Sequence, residues 1–306
     1  MLKRLDAWFN KKGWRDSIIA LPYSWLILFF LLPFIIVIVM SVAHRANASP
    51  PIGFKDAWPF IYLDNYIRLG SDWIYVRAYA ISLINAGIAT FLCLVLGYPM
   101  ALGMTRVSKE RQRMLLMLVI LPFWTSFLLR VYAWIGLMGT NSWFNRLLTS
   151  IYNTLTPAGF NVDSIPMMNT NFAVILVLVY SYLPFMVLPL YANLEKLDFT
   201  LNEAAMDLGS RPSSVFRDIT LPLSIPGIIA GGLLVFIPAS GELIIPSLVG
   251  SASDPMIGRV ISDEFASVRD WPMASAVAVA LLLLLVGPTI AYNYFEAKAQ
   301  GGKSPT

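Results

Sequence analysis

Residues 200–222 read TLNEAAMDLGSRPSSVFRDITLP, between an apolar run that ends near Leu190 and another that opens at Leu223. Thr200 and Glu203, three apart, have the spacing of a capping box at a helix start. Leu201, Ala204, Ala205 and Leu208 then follow the i, i+3, i+4, i+7 rule, which predicts a short helix with one apolar stripe. Gly209 is placed to stop that helix, and Pro212 to open a second one running to about Ile219. The connection from Tyr191 to Pro222 is far longer than two neighbouring helices need, so it has a task beyond joining them. A stripe carrying two alanines suits a groove on another protein, or it lies flat on a membrane surface. The chemistry of the stretch leaves both open.

Outward from this loop the chain is too apolar for water. Of its 306 residues 57% are hydrophobic and 13% charged, with a mean hydropathy of +0.67, whereas a soluble domain carries roughly 25% charged residues. A bilayer core about 30 Å thick asks for apolar runs of about 20 residues. Six such runs are present: Ile18 to Ala43, Ala78 to Met104, Met114 to Met138, Phe172 to Leu190, Leu223 to Val249 and Met273 to Tyr292. The expected fold is an all-α integral membrane protein with six transmembrane helices. Ala46-Asn47-Ala48 resembles a cleavage site behind the first run. A cleavable apolar core is only about 7 to 15 residues, however, so an uncleaved spanning helix fits this longer run better. Cys93 and His44 are each alone of their kind, which excludes a disulfide and a Cys/His metal site within the chain.

The basic residues orient the spans. With both termini cytoplasmic, the inner segments hold Lys3, Arg4, Lys11, Lys12, Arg15, Arg106, Lys109, Arg111, Arg113, Lys196, Arg211, Arg217, Lys298 and Lys303. The outer ones hold Arg45, Lys55, Arg68, Arg77, Arg146, Arg259 and Arg269, so the bias is fourteen to seven and obeys the positive-inside rule. This divides the chain into a basic cytoplasmic segment 1–17, a membrane domain 18–295 holding the cytoplasmic loop 191–222, and a cytoplasmic tail 296–306. The net charge of +4 calls for no nucleic acid, because anionic membrane lipids are sufficient partners for inner basic residues. Trp73, Tyr75, Trp143, Tyr152 and Trp271 in the outer loops are interface anchors. Asp254, Asp263, Glu264 and Asp270 make the last outer loop acidic, either to gather cations or as a solvated edge.

Two charges fall inside spans, Arg130 in the third and Glu242 in the fifth. Ionisable groups at membrane depth are functional candidates, unless they pair with each other or cap carbonyls. Glu242 closes Pro238-Ala239-Ser240-Gly241-Glu242, where Pro and Gly interrupt the helix, and interrupted helices line transport cavities. A carboxylate there, with Trp124, Tyr132 and Trp134 on the third span, suits an organic cation through charge attraction and cation–π contact. The same rings also fit lipid-facing packing. The chain has no catalytic constellation: Gly302-Lys303-Ser304 mimics the end of a phosphate loop, but Ala297 stands where its opening glycine belongs. No enzyme activity is expected of the chain itself.

Glu203-Ala204-Ala205, Gly209 and Ile219-Thr220-Leu221-Pro222 match the EAA loop of ABC importer permeases at every position and spacing. The chain thus resembles that family from about residue 17 to nearly its end. The resemblance implies that Glu203, Ala204, Ala205, Asp207, Gly209 and Pro222 belong to a coupling helix and its flank, docked on a separate cytoplasmic ATPase subunit. ATP and Mg would then be bound by two partner ATPases, with no cofactor in this chain. The remaining implied partners are a homologous second permease and a periplasmic polyamine-binding protein, with this chain itself in a bacterial inner membrane.

The segments Leu121 to Ser126, Arg130 to Trp134, Ile257-Gly258-Arg259 and Arg269 to Pro272 further resemble the polyamine branch of these permeases. Leu234 to Glu242 is most similar to its putrescine-type members, with Ser240 in place of a more usual apolar residue. Putrescine and spermidine are the substrates this resemblance implies, with Glu242 meeting the cation. An anion permease, for sulfate for example, would use Arg130 instead. A passive cation channel would have no use for a docking loop.

Overall fold

In a bilayer core every backbone N–H and C=O must find its partner within the spanning segment, so an apolar run that crosses has to be helical. The computed structural model describes residues 12–47, 49–54, 62–156 and 161–299. Lys3, Arg4, Lys11, Ala48, Lys55 and the tail with Gly302, Lys303 and Ser304 lie outside the described residues. All six expected runs are mainly helical, and two of them are interrupted. Among the described residues four helices are long and apolar enough to cross a membrane: Ile18–Ser41, Trp73–Thr105, Asn171–Leu194 and Pro212–Ser240. The pair Lys109–Trp124 and Phe127–Met138, bent by 88°, makes a fifth if the two count as one broken span. The last expected run is a shorter apolar stretch, Trp271–Gly287, of a helix that continues to Ala299.

The chain divides into two compact units, residues 1–73 with 261–306, and residues 74–260. In the first unit the Lys12–Leu26 helix runs through a π turn, Ile27–Leu31, into Leu32–Ser41, which packs along Trp271–Ala299. Asn65 closes the Ser41 end by donating from Nδ2 to the carbonyl of Ser41 at 3.0 Å, one of the acceptors that a helix end leaves open, and to that of Ala43 just beyond it at 2.7 Å. A short antiparallel ladder sets His44 opposite Gly53. The apolar side chains of the first span, Leu21 and Phe30 among them, point outward and are mostly uncovered by the chain itself.

The second unit is built around Asn171–Leu194, whose Val174, Val177, Leu178, Val187, Leu190 and Leu194 are buried. It lies along Leu221–Ser240, the most extensive helix pairing of the unit. Met186 is held between two glycines: a Cβ at Gly97 would stand 3.2 Å from its Cγ, and one at Gly231 only 2.8 Å from its Sδ. Small residues let helices close on one another where lipid removes the hydrophobic drive and contact packing must do the work.

Four expectations change. The third span is not one rod: a 3-10 turn, Leu121–Trp124, leads to extended backbone at Thr125 and Ser126 before the helix resumes at Phe127. Pro122 has no N–H to continue the helix there. The fifth span ends at Ser240 rather than Val249, and Pro238 lies within it, because the break falls at Gly241–Leu243 ahead of Ile244–Val249. The second loop helix does not stop near Ile219: Pro212–Val215 passes through a π turn, Phe216–Thr220, into Leu221–Ser240. Pro222 sits just past that turn, where the hydrogen-bond register has already shifted. The capping box does not form either. Phe199 is the residue before the helix, and Asp198 Oδ1 accepts the Thr200 N–H at 3.0 Å instead.

The acidic outer loop is not a free acidic edge. Asp254 is paired with Arg77, while Asp270 lies 3.5 Å from Arg68 and accepts the Met273 N–H at 3.1 Å.

Candidate functional site

The 200–207 helix rests on very little of its own chain. Thr200–Asp207 has no buried residue, Leu201 is 51% and Leu208 88% exposed, and Glu203, Ala204 and Asp207 are exposed beside them. The helix end is nevertheless well defined. Gly209 takes φ +88°, Ser210 N–H donates to Ala205 O at 3.0 Å and Gly209 N–H to Met206 O at 2.9 Å. These are the two bonds of a Schellman motif, for which a residue without Cβ is best suited. Asn202 Nδ2 donates to Thr220 Oγ1 at 3.1 Å, tying the helix to the π turn that enters the fifth span. A cavity of about 310 Å³ lies between them, lined by Arg106, Asn202, Glu203, Met206, Phe216 and Thr220.

At the same end of this unit, Lys109 Nζ donates to Glu195 Oε1 at 2.8 Å. That hydrogen bond holds the Glu195 carboxyl below the usual carboxylate range and raises the Lys109 ammonium. Hydrogen bonding from Thr200 likewise lowers Asp198. Tyr191 donates from its hydroxyl to Gln112 Oε1 at 3.1 Å, and Gln112 in turn donates to Val107 O at 3.0 Å. The turn between the second and third spans is thereby fastened to the fourth.

Glu242 stands in the break of the fifth span. Its Oε1 accepts the Ile244 N–H at 2.9 Å, which caps the Ile244–Val249 helix. Its Oε2 accepts the Tyr182 hydroxyl at 2.6 Å. Gly258 brings the start of Ile257–Asp263 against this break: a Cβ there would lie 2.5 Å from Gly241 O and 2.6 Å from Glu242 O. Ser82 Oγ accepts the Ile257 N–H at 2.7 Å and fixes that approach.

Arg130 does not meet Glu242. Its guanidinium carbon lies 5.6 Å from the ring centroids of both Phe123 and Phe127, and its Nε and Nη1 are shielded with no hydrogen-bond partner among the described residues. The other aromatic candidates disperse. Trp134 packs edge-on to Tyr180 at 5.5 Å against the core, whereas Trp124 is 78% and Tyr132 56% exposed. Tyr182, the residue that does touch Glu242, was not singled out by the sequence. The signal was present in Tyr180-Ser181-Tyr182, a polar interruption of an otherwise apolar span.

The family model described as "Binding-protein-dependent transport system inner membrane component" matches residues 9–301. The "Spermidine/putrescine transport system permease protein PotB" of Haemophilus influenzae is 39% identical over 279 residues, covering 91% of this chain and 92% of its own. The protein of the same name from Escherichia coli is 41% identical over 262 residues, 86% of this chain and 90% of its own. In three dimensions the chain is similar to a bacterial ABC transporter involved in the import of the acidic polysaccharide alginate, with a TM-score of 0.68 at 18% identity over 96% of this chain and 99% of that one.

Proposed function

Because the chain belongs to the family of binding-protein-dependent transport system inner membrane components, we propose that it is one of two permease subunits of an ATP-driven importer of polyamines, putrescine and spermidine. The observation that carries the substrate class is the 39% identity to a spermidine/putrescine permease over nine-tenths of both chains. The Glu242 carboxylate in the interrupted span supplies the chemistry that an ammonium group needs. The chain is a multi-pass membrane protein of the importer-permease fold, and in this reading both termini face the cytoplasm.

The loop helix is the coupling element. Glu203, Ala204, Ala205, Asp207 and Gly209 present a helix with an uncovered stripe, which a cleft on a cytoplasmic ATPase would cover. Asn202 and Thr220 then pass motion of that helix through the π turn and Pro222 into the fifth span. Two ATPase subunits would bind ATP and Mg, a homologous second permease would complete the pathway, and a periplasmic protein would deliver the polyamine. Membrane lipids cover the outward apolar faces.

The test is uptake of labelled putrescine and spermidine into proteoliposomes holding the complete assembly. Uptake that requires ATP and the binding protein supports the reading. Uptake that proceeds without ATP would identify a passive channel. The Arg130 Nε and Nη1, without a hydrogen-bond partner among the described residues, favour one other reading, an anion permease; uptake of labelled sulfate that unlabelled sulfate blocks and putrescine does not would establish it.

A further inference from the structure

Between the two intramembrane charges runs an unbroken row of rings within one compact unit. Tyr182 donates to Glu242 at 2.6 Å. The Tyr182 and Phe185 centroids are 5.9 Å apart, those of Phe185 and Phe123 are 5.0 Å apart, and Arg130 sits over Phe123 at 5.6 Å. Phe185 is 37% exposed and the other members are half-buried, so the row lies along a face the unit leaves partly open. Trp124 and Tyr132 are not part of this row.

We propose that Glu242, Tyr182, Phe185 and Phe123 form a binding strip for a linear cation bearing two or more ammonium groups, with Arg130 as a resident cation closing its far end. The inference rests on the polyamine reading above and assigns its contact residues. One ammonium takes the Glu242 carboxylate, competing with the Tyr182 hydroxyl for Oε2. The next lies on ring faces, where a cation within about 6 Å of a centroid is attracted by the ring quadrupole. The chain already holds one cation in this way at Phe123 and Phe127, with Arg130 Nε and Nη1 that have no acceptor among the described residues. An apolar spacer between ammonium groups suits the rings between the two ends. The fixed positive charge of Arg130 repels an ammonium at its end, which limits how far a bound polyamine extends and keeps it from settling there.

The experiment measures polyamine moved per ATP hydrolysed by the complete assembly in proteoliposomes, each variant first shown to elute at the size of the unaltered complex. Phe185→Leu and Phe123→Leu keep apolar bulk and remove a ring; each is expected to lower the ratio about two- to thirty-fold, the range of one cation–π contact. Phe185→Tyr keeps the ring and is expected to retain it. Equal ratios for Phe185→Leu, Phe123→Leu and the unaltered complex would overturn the strip, as would equal losses in Phe185→Leu and Phe185→Tyr. An unaltered complex that moves no polyamine at all would remove the polyamine reading, and the strip with it.

Discussion

Tyr182 and Glu242, sixty positions apart in the chain, meet through a 2.6 Å hydrogen bond at the point where the fifth span loses its helix. The hydroxyl aims one carboxylate oxygen while the Ile244 N–H holds the other. A carboxylate fixed by two donors is presented in one direction, as recognition of an incoming cation requires.

Glu242→Gln keeps the shape of this arrangement and removes the charge. A hydrogen bond to a charged group contributes about 1.5–3 kcal/mol, so uptake is expected to fall at least about tenfold while ATPase activity stimulated by the binding protein persists. Measuring both in the same proteoliposomes decides the matter. Unchanged uptake would make the glutamate a cap for Ile244–Val249 and nothing more.

Gly258→Ala probes the approach that closes the break. Its Cβ would meet backbone oxygens of Gly241 and Glu242, which cannot rotate away as a flexible side chain would. Overpacking of this kind costs about 1–3 kcal/mol, read as a lower melting temperature of the detergent-solubilised chain, with uptake reduced alongside. Normal stability and uptake together would show that the break shifts freely.

Leu201→Asp and Leu208→Asp separate docking from lying on the membrane. Both side chains are largely uncovered, so the permease's own melting temperature should barely move. Affinity for the ATPase subunits, measured by titration of the solubilised permease, should drop by about tenfold or more if the stripe is a docking anchor. Unchanged affinity with weakened lipid association would favour an interfacial helix.

Gly209 should rank substitutions by backbone rather than by size. At φ +88°, Asn is expected to retain more ATPase coupling than Ala, and Ala more than Val, because the left-handed region penalises a Cβ and most of all a branched one. Equal coupling in all three variants would show that the Schellman end is dispensable.

The Lys109–Glu195 pair gives a signed pH dependence. The folded carboxyl titrates below its unfolded value and the ammonium above. The carboxyl's contribution to stability is therefore present above the unfolded carboxylate range and lost as pH falls through the folded value. The lysine's contribution is present below the unfolded ammonium range and lost as pH rises through its raised value. Melting curves of the unaltered chain and Glu195→Gln should differ slightly near neutrality and converge in acid, and the difference should shrink with salt.

Much of this protein is fixed by one-dimensional pattern. A bilayer demands apolar runs of set length, so the six mainly helical runs and the short 200–207 helix with its glycine stop follow from residue order alone, as does an interruption near Glu242. Which partner each polar group finds does not. Asp198 takes the Thr200 N–H that a capping box would assign to side chains inside the helix, since a nearer acceptor wins. The bend after Pro122 and the π turn before Pro222 depend on how the neighbouring helices pack, as does the meeting of Tyr182 with Glu242. Periodicity marks the face a residue occupies within its own helix. The register and approach of neighbouring helices, set by close contacts such as Met186 between Gly97 and Gly231, decide what that face will touch.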